Sequence, residues 1–455
     1  MIRTSCFRTM SVAVILFTLT GCDAAAAGVP GERLTLTEAV EMALERYPAM
    51  GVSQASVEES GGGVREARAA WFPVLSISAG AQQYEEPMPV TPIHGLQFGL
   101  APPFDETITL YSLNLEYTLF DGGGRLAGLR RAGELHRAAL ASLDGTRQDV
   151  TARVVSVYLG VLARQEILSA HDHRVAALES ELARVEQFFR EERSARVEVL
   201  RAEANLAAAE AEKVRARTAL EVTERELALL VGADLERVRA EGLVGVTLSG
   251  SARDPGPRNE LISRTLLSNS SVQEARHMRD AAKQGSAMAK SARWPRLLLD
   301  GSLFDQGDLE GNRVTEWKAA AVLNLPLFTG GMTTGRIARA KAAERGALEG
   351  LRLREYEVTK ALDWALAALE EARARVESLT EAVEATEEVV KIEKLLLEAG
   401  SGTQTDYLDA EANLVTARAN LVEARHGEIM ARVDLARLLG ELDGEWLSRH
   451  LEDHP

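Results

Sequence analysis

The chain has 455 residues, more than one ordinary domain core requires, and a formal net charge of −16. Nucleic-acid binding needs clustered Lys and Arg side chains to neutralise phosphates, so this acidic balance argues against it. Aromatic residues make up only 5% of the chain. Long tracts rich in Ala, Leu, Glu and Arg favour extended helices over one large globular core.

Residues 1–21 are typical of a secretion signal, with early arginines and an apolar run of about ten residues that is too short to span a bilayer. The run is followed by LTGC, which resembles a lipobox and predicts that Cys22 is lipidated and starts the mature chain. Ordinary cleavage within Asp23–Gly28 is the alternative. In enteric bacteria Asp23 would resemble an inner-membrane retention signal. We expect 22–33 to be an anchor segment.

The body of the chain is internally repeated. The phrase LRAEANL at 200–206 returns as LDAEANL at 408–414, and the match extends without a gap at an offset of 208. Upstream of the strand segments the offset is 222, so one loop of the first copy is longer by 14 residues (222 minus 208). Such repetition predicts a tandem duplication. Its parts are repeat 1 at 34–232, a linker at 233–257, repeat 2 at 258–440 and a C-terminal tail at 441–455.

Each repeat contains a long stretch without proline, after Phe104 and again after Leu327. Proline in a helix interior costs about 3 kcal/mol, so these stretches permit very long helices. Apolar residues at helical spacing in Tyr158–Phe189 support them. At about 1.5 Å per residue, a helix over Leu126–Arg190 would reach on the order of 100 Å, more than a globular domain can use. A coiled-coil rod is the alternative.

Between the helical stretches, four segments alternate apolar and polar residues, and each approaches the roughly nine to eleven residues of a tilted strand across a bilayer. They are Leu75–Gln82, Tyr111–Leu119, Arg296–Phe304 and Trp317–Phe328. Loops are expected at 85–106 and 305–316. Open sheet edges are not tolerated in lipid, so if these strands lie in a membrane, they must combine with those of other protomers. The alternation does not choose between two chains and three.

The order of these segments resembles the TolC family of outer-membrane efflux channels. The resemblance rests on LTLTEAVEMALERYP at Leu34–Pro48, LFDGGGR at Leu119–Arg125, VLRAEANL at Val199–Leu206 and the second copy with LFTGG at Leu327–Gly331. It implies an α+β membrane protein of a Gram-negative bacterium. Three protomers would share a twelve-stranded transmembrane β-barrel in outer-membrane lipid, with four strands from each. Long α-helical hairpins would form a periplasmic tube.

The same resemblance implies a function and partners. The homotrimer would be the passive exit duct of a tripartite export system, together with a periplasmic adaptor protein and an inner-membrane pump. The rival hypothesis is a periplasmic coiled-coil adaptor or scaffold lipoprotein. An adaptor should carry lipoyl-like β halves around one helical hairpin, whereas this chain has two hairpins and four strand segments.

The family places a periplasmic tip between the two long helices of each repeat. The matching residues, expected to contact the adaptor, are Arg193, Ser194, Ala195 and Arg196, and Gly400, Ser401, Gly402 and Thr403. The first tip has Glu192 opposite Gly400, so its turn must form without glycine there. Other members close the entrance through Arg and Tyr contacts. The matching residues here are Gly402 and Leu397, so that lock is absent.

Beyond the second tip, Asp406 and Asp409 lie three apart on one helix face. In similar channels, aspartates here line the narrow entrance, where threefold symmetry gives a carboxylate ring that favours cations. The alternative is that acidic residues in a first turn complement the helix dipole. Glu198 and Arg201 hold the matching positions in repeat 1, and Arg201 is a candidate to pair with an aspartate across the closed entrance.

The sequence offers no nucleophile–base pair or carboxylate dyad that would indicate catalysis, so we predict neither an enzyme nor a cofactor. His171 and His173 lie two apart and therefore project from different faces of a helix, without a third ligand nearby. No metal site is predicted.

Overall fold

The computed structural model describes residues 33–90, 103–249 and 255–454. The predicted secretion signal, Cys22 and most of the anchor segment lie outside the described residues, as does the middle of the first predicted loop. None of the described helices is long and apolar enough to cross a membrane.

The elements of the first half of the chain follow the predicted order. They are α1 (Leu36–Arg46), α2 (Pro48–Ala69), β1 (Val74–Pro89), β2 (Phe104–Phe120), α3 (Gly124–Arg190), α4 (Arg196–Val231), α5 (Leu235–Glu241) and β3 (Gly245–Leu248). The second half repeats the plan. It consists of α6 (Arg258–Ser268), α7 (Ser270–Ser291), β4 (Arg296–Gly307), β5 (Arg313–Asn324), α8 (Met332–Glu398), α9 (Gln404–Leu438), α10 (Gly444–His450) and β6 (Leu451–His454).

The two longest helices, α3 and α8, each contain 67 residues, which corresponds to about 100 Å. Both begin after a pair of glycines in the left-handed region, Gly122 and Gly123 (φ 67° and 86°), then Gly330 and Gly331 (φ 59° and 88°). Only glycine enters that region without a steric cost, so each pair lets the chain turn sharply from strand into helix. The duplication therefore extends to backbone conformation.

The four bilayer-length strands form one antiparallel sheet in the order β1-β2-β4-β5. The central β2–β4 pair joins the two repeats, and β1 and β5 are the edges. Both predicted loops and one predicted strand end were wrong. The first hairpin continues to Pro89 on β1 and resumes at Phe104, so its loop is shorter than 85–106. The second hairpin continues to Gly307 on β4 and resumes at Arg313, so its loop is shorter than 305–316. The last strand ends at Asn324 instead of Phe328, since Pro326 has no backbone N–H to donate.

The helices pack side by side into a wall. A belt made of α1 and the small β3–β6 sheet thickens this wall around the middle of α3. In the half next to the sheet, contacts run from α2 to α3, from α3 to α7 and from α7 to α8. In the other half α3 packs on α4, α8 on α9, and α3 also on α9. The belt contains the main apolar core, where α1 and the small β3–β6 sheet cover the middle of α3. The linker and the tail thus meet at one place.

Candidate functional site

One face of the four-stranded sheet is apolar across its whole width. Ile77, Leu113, Leu303 and Trp317 are successive register partners from β1 to β5. All four are exposed in the protomer, with Ile77 at 81% and Trp317 at 77%. A row of large apolar side chains costs free energy in water, so this face suits contact with lipid.

The opposite face of the same sheet is polar. The neighbouring row contains Ser76, Asn114, Ser302 and Lys318 as register partners. The next row pairs Glu116 with Asp300, and these side chains line a hollow of about 230 Å³. Because side chains alternate between the faces of a strand, the register places these polar rows on the face opposite to the apolar row.

The sheet ends in open edges within the protomer. Across the described residues, β1 pairs with β2 alone and β5 pairs with β4 alone. Unpaired backbone groups cost several kcal/mol each in hydrocarbon, so a sheet with one lipid-type face needs further strands at both edges. The protomer is therefore one part of a shared wall.

At the far end of the long helices, the two hairpins reverse with the same hydrogen bonds. The N–H of Arg193 donates to Phe188 O at 2.8 Å, and the N–H of Ser401 donates to Leu396 O at 3.0 Å. These residues are related by the offset of 208. Such bonds close a helix when the residue after its end is left-handed. The predicted tips are therefore true turns.

Most of the residues predicted to contact an adaptor are exposed, and Ser194 and Gly402 are half-buried. The guanidinium of Arg193 lies 4.8 Å from the Phe188 ring centroid and 3.2 Å from a carboxylate oxygen of Glu191. Gly402 is closely packed, since a Cβ there would lie 2.9 Å from Leu396 Cβ. A side chain at position 402 therefore requires the turn to move.

The predicted entrance residues make contacts inside the protomer. Thr403 Oγ1 accepts a hydrogen bond from the N–H of Asp406 at 3.2 Å and donates to its carboxylate at 2.6 Å. Asp406 is thus part of a helix cap, as the dipole alternative expects. In α4, Arg201 pairs with Glu198 at 3.2 Å. The pairing of Arg201 with an aspartate of another protomer stays a prediction.

Asp409 is exposed on α9, one turn beyond Asp406. It borders a small hollow of about 60 Å³ between three helices, together with Arg174 of α3 and Asn205 of α4. The structure therefore brings Asp409 of α9 close to α3 and α4 of the first repeat.

Tyr407 was missed by the sequence analysis. Its hydroxyl donates to Glu411 Oε1 at 3.0 Å. Burial, reinforced by the Glu411 carboxylate, raises the pKa of Tyr407 to about 12. Tyr407 is therefore a neutral hydrogen-bond donor on α9, next in sequence to Asp406, which is one of the predicted entrance residues. The sequence alone does not distinguish such a tyrosine from other half-buried tyrosines on helices, so this role could not be predicted.

Among the residues that the structure describes, no group of three His, Cys, Asp or Glu side chains is placed to hold a metal ion. His173 is exposed. Burial lowers the pKa of His171, and the adjacent Asp172 pairs with Lys213 at 2.6 Å.

Comparison with known proteins gives a consistent result. The model of the outer membrane efflux protein family matches residues 39–233 and 261–441, which are the two repeats. The chain is 24% identical to the outer membrane protein TolC of Vibrio cholerae over 426 residues, covering 90% of this chain and 91% of that protein.

Solved structures show the same fold. The Campylobacter jejuni CmeC outer membrane channel superposes with a TM-score of 0.77 at 17% identity, covering 91% of this chain and 88% of that one. The outer membrane protein VceC from Vibrio cholerae gives a TM-score of 0.73 at 20% identity, covering 89% of this chain and 96% of that one.

Proposed function

The chain belongs to the outer membrane efflux protein family, and we propose that it works as the passive exit duct of a tripartite export system. Three protomers pool their strands into a twelve-stranded barrel in the outer membrane. Their helices form the periplasmic tube, which meets a periplasmic adaptor and an inner-membrane pump at its tips. The observation that carries this is the two-faced sheet with an open edge on either side.

Single-channel recording tests the duct directly. The full-length protein, purified in detergent and inserted into planar bilayers, is expected to give discrete conductance steps. Cross-linking in detergent should give trimers. A protein that stays monomeric in detergent and conducts no ions would overturn the proposal and favour a periplasmic scaffold.

The entrance is proposed to be closed by an interaction between protomers, in which Asp406 and Asp409 of one chain face Glu198 and Arg201 of the next. The supporting observation is that both pairs lie at the same level of the two hairpins, two turns or less above the tips. A carboxylate ring at this narrow point favours cations.

A double cysteine variant tests the entrance. If Arg201 of one protomer faces Asp409 of its neighbour, the variant Arg201→Cys with Asp409→Cys forms covalent trimers under oxidation, and conductance falls until reductant is added. Asp409→Cys alone can join only two chains. Glu423→Cys, exposed on the same helix far from the tip, is the control. Monomers alone in the oxidised double variant would contradict this gate.

Two further assignments follow from the same proposal. The tip residues Arg193, Ser194, Ala195 and Arg196, with Gly400, Ser401, Gly402 and Thr403, contact the adaptor. Cys22 carries a lipid. Mass spectrometry of the mature N-terminus tests the lipidation, since a lipidated Cys22 adds acyl mass that the variant Cys22→Ser lacks. Arg193→Glu with Arg196→Glu should weaken adaptor cross-linking while conductance is retained.

A further inference from the structure

A hollow of the protomer lies next to the sheet, at the end of the helical wall that adjoins the strands. It has a volume of about 930 Å³ and is bordered by α2, α3, α7 and α8. These helices form a row in which only neighbours are closely packed. Because the hollow touches all four members of this row, it lies on one side of the row.

A second observation places the hollow on the same side as the polar sheet face. Arg296, the first residue of β4, borders it. Along β4, Arg296 shares its face with Asp300 and Ser302, which belong to the polar rows. The hollow is therefore continuous with the water-type face of the sheet and turned away from the lipid-type face.

Arginine dominates the charge of this hollow. Four guanidinium groups border it without an ion pair to any residue in the described ranges: Arg131, Arg296, Arg336 and Arg339. Its acidic residues are Glu66 and Asp121. Asp121 is already engaged, since it accepts the N–H groups of Arg125 at 2.6 Å and Gly123 at 3.1 Å. A chain with a net charge of −16 thus carries a local positive surplus here.

The floor of the hollow is apolar. On α7 it consists of small and sulfur-containing residues, namely Met278, Ala281, Ala282, Gly285, Met288 and Ala289. Alanine and glycine leave the space open, and methionine adapts its flexible side chain to different shapes. At Gly285 even a Cβ would only meet the stem of Arg131 at 3.7 Å. The hollow combines an apolar floor with a guanidinium rim.

We propose that this hollow is a binding site for organic anions that join an apolar body to a carboxylate or sulfonate head. Guanidinium groups bind such heads through paired, charge-assisted hydrogen bonds. The volume lies within the range of about 300–1,000 Å³ that small-molecule sites occupy. The assignment rests on the proposed duct, because the side of the wall that continues the polar sheet face is a lumen only when three protomers close the tube.

The experiment compares two dyes that differ by one group. The anion 8-anilinonaphthalene-1-sulfonate is dialysed to equilibrium against the trimer in lipid nanodiscs, and the uncharged N-phenyl-1-naphthylamine, which lacks the sulfonate, is the reference ligand. The test variant is Arg336→Ser with Arg339→Ser. The control is Lys341→Ser with Arg345→Ser, which removes the same charge from the next turns of α8. These two residues do not border the hollow.

We expect the test variant to bind the sulfonate at least about tenfold more weakly than the unchanged protein does. This difference corresponds to the loss of one charged hydrogen bond. The control should bind it as the unchanged protein does, and the uncharged dye should not distinguish the three proteins. Lipid binding contributes equally to all of them. Equal sulfonate binding by the test and control variants would overturn the site.

Conductance measurements distinguish failure of the anion site from failure of the duct. The test variant should still conduct, and its reversal potential in a KCl gradient should shift toward cation preference relative to the control. Conductance without a difference in dye binding overturns the anion site alone. Absence of conductance in the unchanged protein overturns the duct itself.

Discussion

Glu192 and Gly400 occupy equivalent positions in the two hairpin tips, and both have a left-handed backbone, with φ of 55° and 74°. Among the described residues Glu192 is the only non-glycine with positive φ. This conformation costs an L-residue with a side chain roughly 1–2 kcal/mol, which glycine avoids. The duplicated hydrogen bonds of the tip therefore impose the conformation on the first copy, whichever residue stands there.

This relationship predicts that Glu192→Gly stabilises the first tip. The gain should be about 1 kcal/mol, because the strain is removed while the unfolded chain becomes more flexible. Hydrogen exchange at the Arg193 amide, which closes the turn, should slow about fivefold. Gly400→Glu should have the opposite effect at the Ser401 amide. Faster exchange in Glu192→Gly would show that the turn is held by the glutamate side chain instead.

The sequence predicted the duplication, both long helices and the four strands, because each has a local or periodic signal over many residues. It did not predict the β3–β6 sheet, whose four-residue strands pair across two hundred positions without a local signature. The arginine-rimmed hollow was missed for a related reason. Arg131, Arg296 and Arg336 are far apart in sequence, and only the packing order of the helices brings them together.

The second prediction concerns the helix caps of the two tips. Thr403 caps α9 through its side chain, whereas Ala195 at the start of α4 makes no side-chain cap. Ala195→Thr should therefore stabilise the first turn of α4 by about 1 kcal/mol, and Thr403→Ala should destabilise α9 by a similar amount. Exchange rates of the Glu198 and Asp406 amides report the two changes. Ala195→Val, which adds bulk without a hydroxyl, should give no protection.

The third prediction concerns the pH at which Tyr407 ionises. The pKa of Tyr407 is raised to about 12, first by burial and then by the Glu411 carboxylate. A tyrosine whose folded pKa exceeds its unfolded value of about 10 favours the folded state below pH 10, and this contribution is lost as the pH rises from about 10 to 12.

Absorbance at 295 nm follows this ionisation, and the difference between the unchanged protein and Tyr407→Phe isolates the contribution of Tyr407. Glu411→Gln should move that component to lower pH but not to the unfolded value, since burial is the larger cause. Ionisation of Tyr407 at the same pH in Glu411→Gln as in the unchanged protein would leave no role for the carboxylate.

The last prediction concerns the buried hydroxyl of Tyr158, which joins the middle of α3 to the belt. It lies 2.7 Å from Leu34 O and 2.8 Å from Val244 O, and it accepts the N–H of Val244 at 3.0 Å. Tyr158→Phe removes the hydroxyl from the buried Leu34 carbonyl and from the half-buried backbone of Val244, whose N–H keeps only the longer bond to Leu34 O at 3.2 Å, at a cost of about 1–3 kcal/mol. The thermal midpoint followed by circular dichroism should fall, and the Val244 amide should exchange faster. Tyr356→Phe, at a site 69% exposed, is the matched control, and an equal midpoint for both variants would show that the belt does not depend on this hydroxyl.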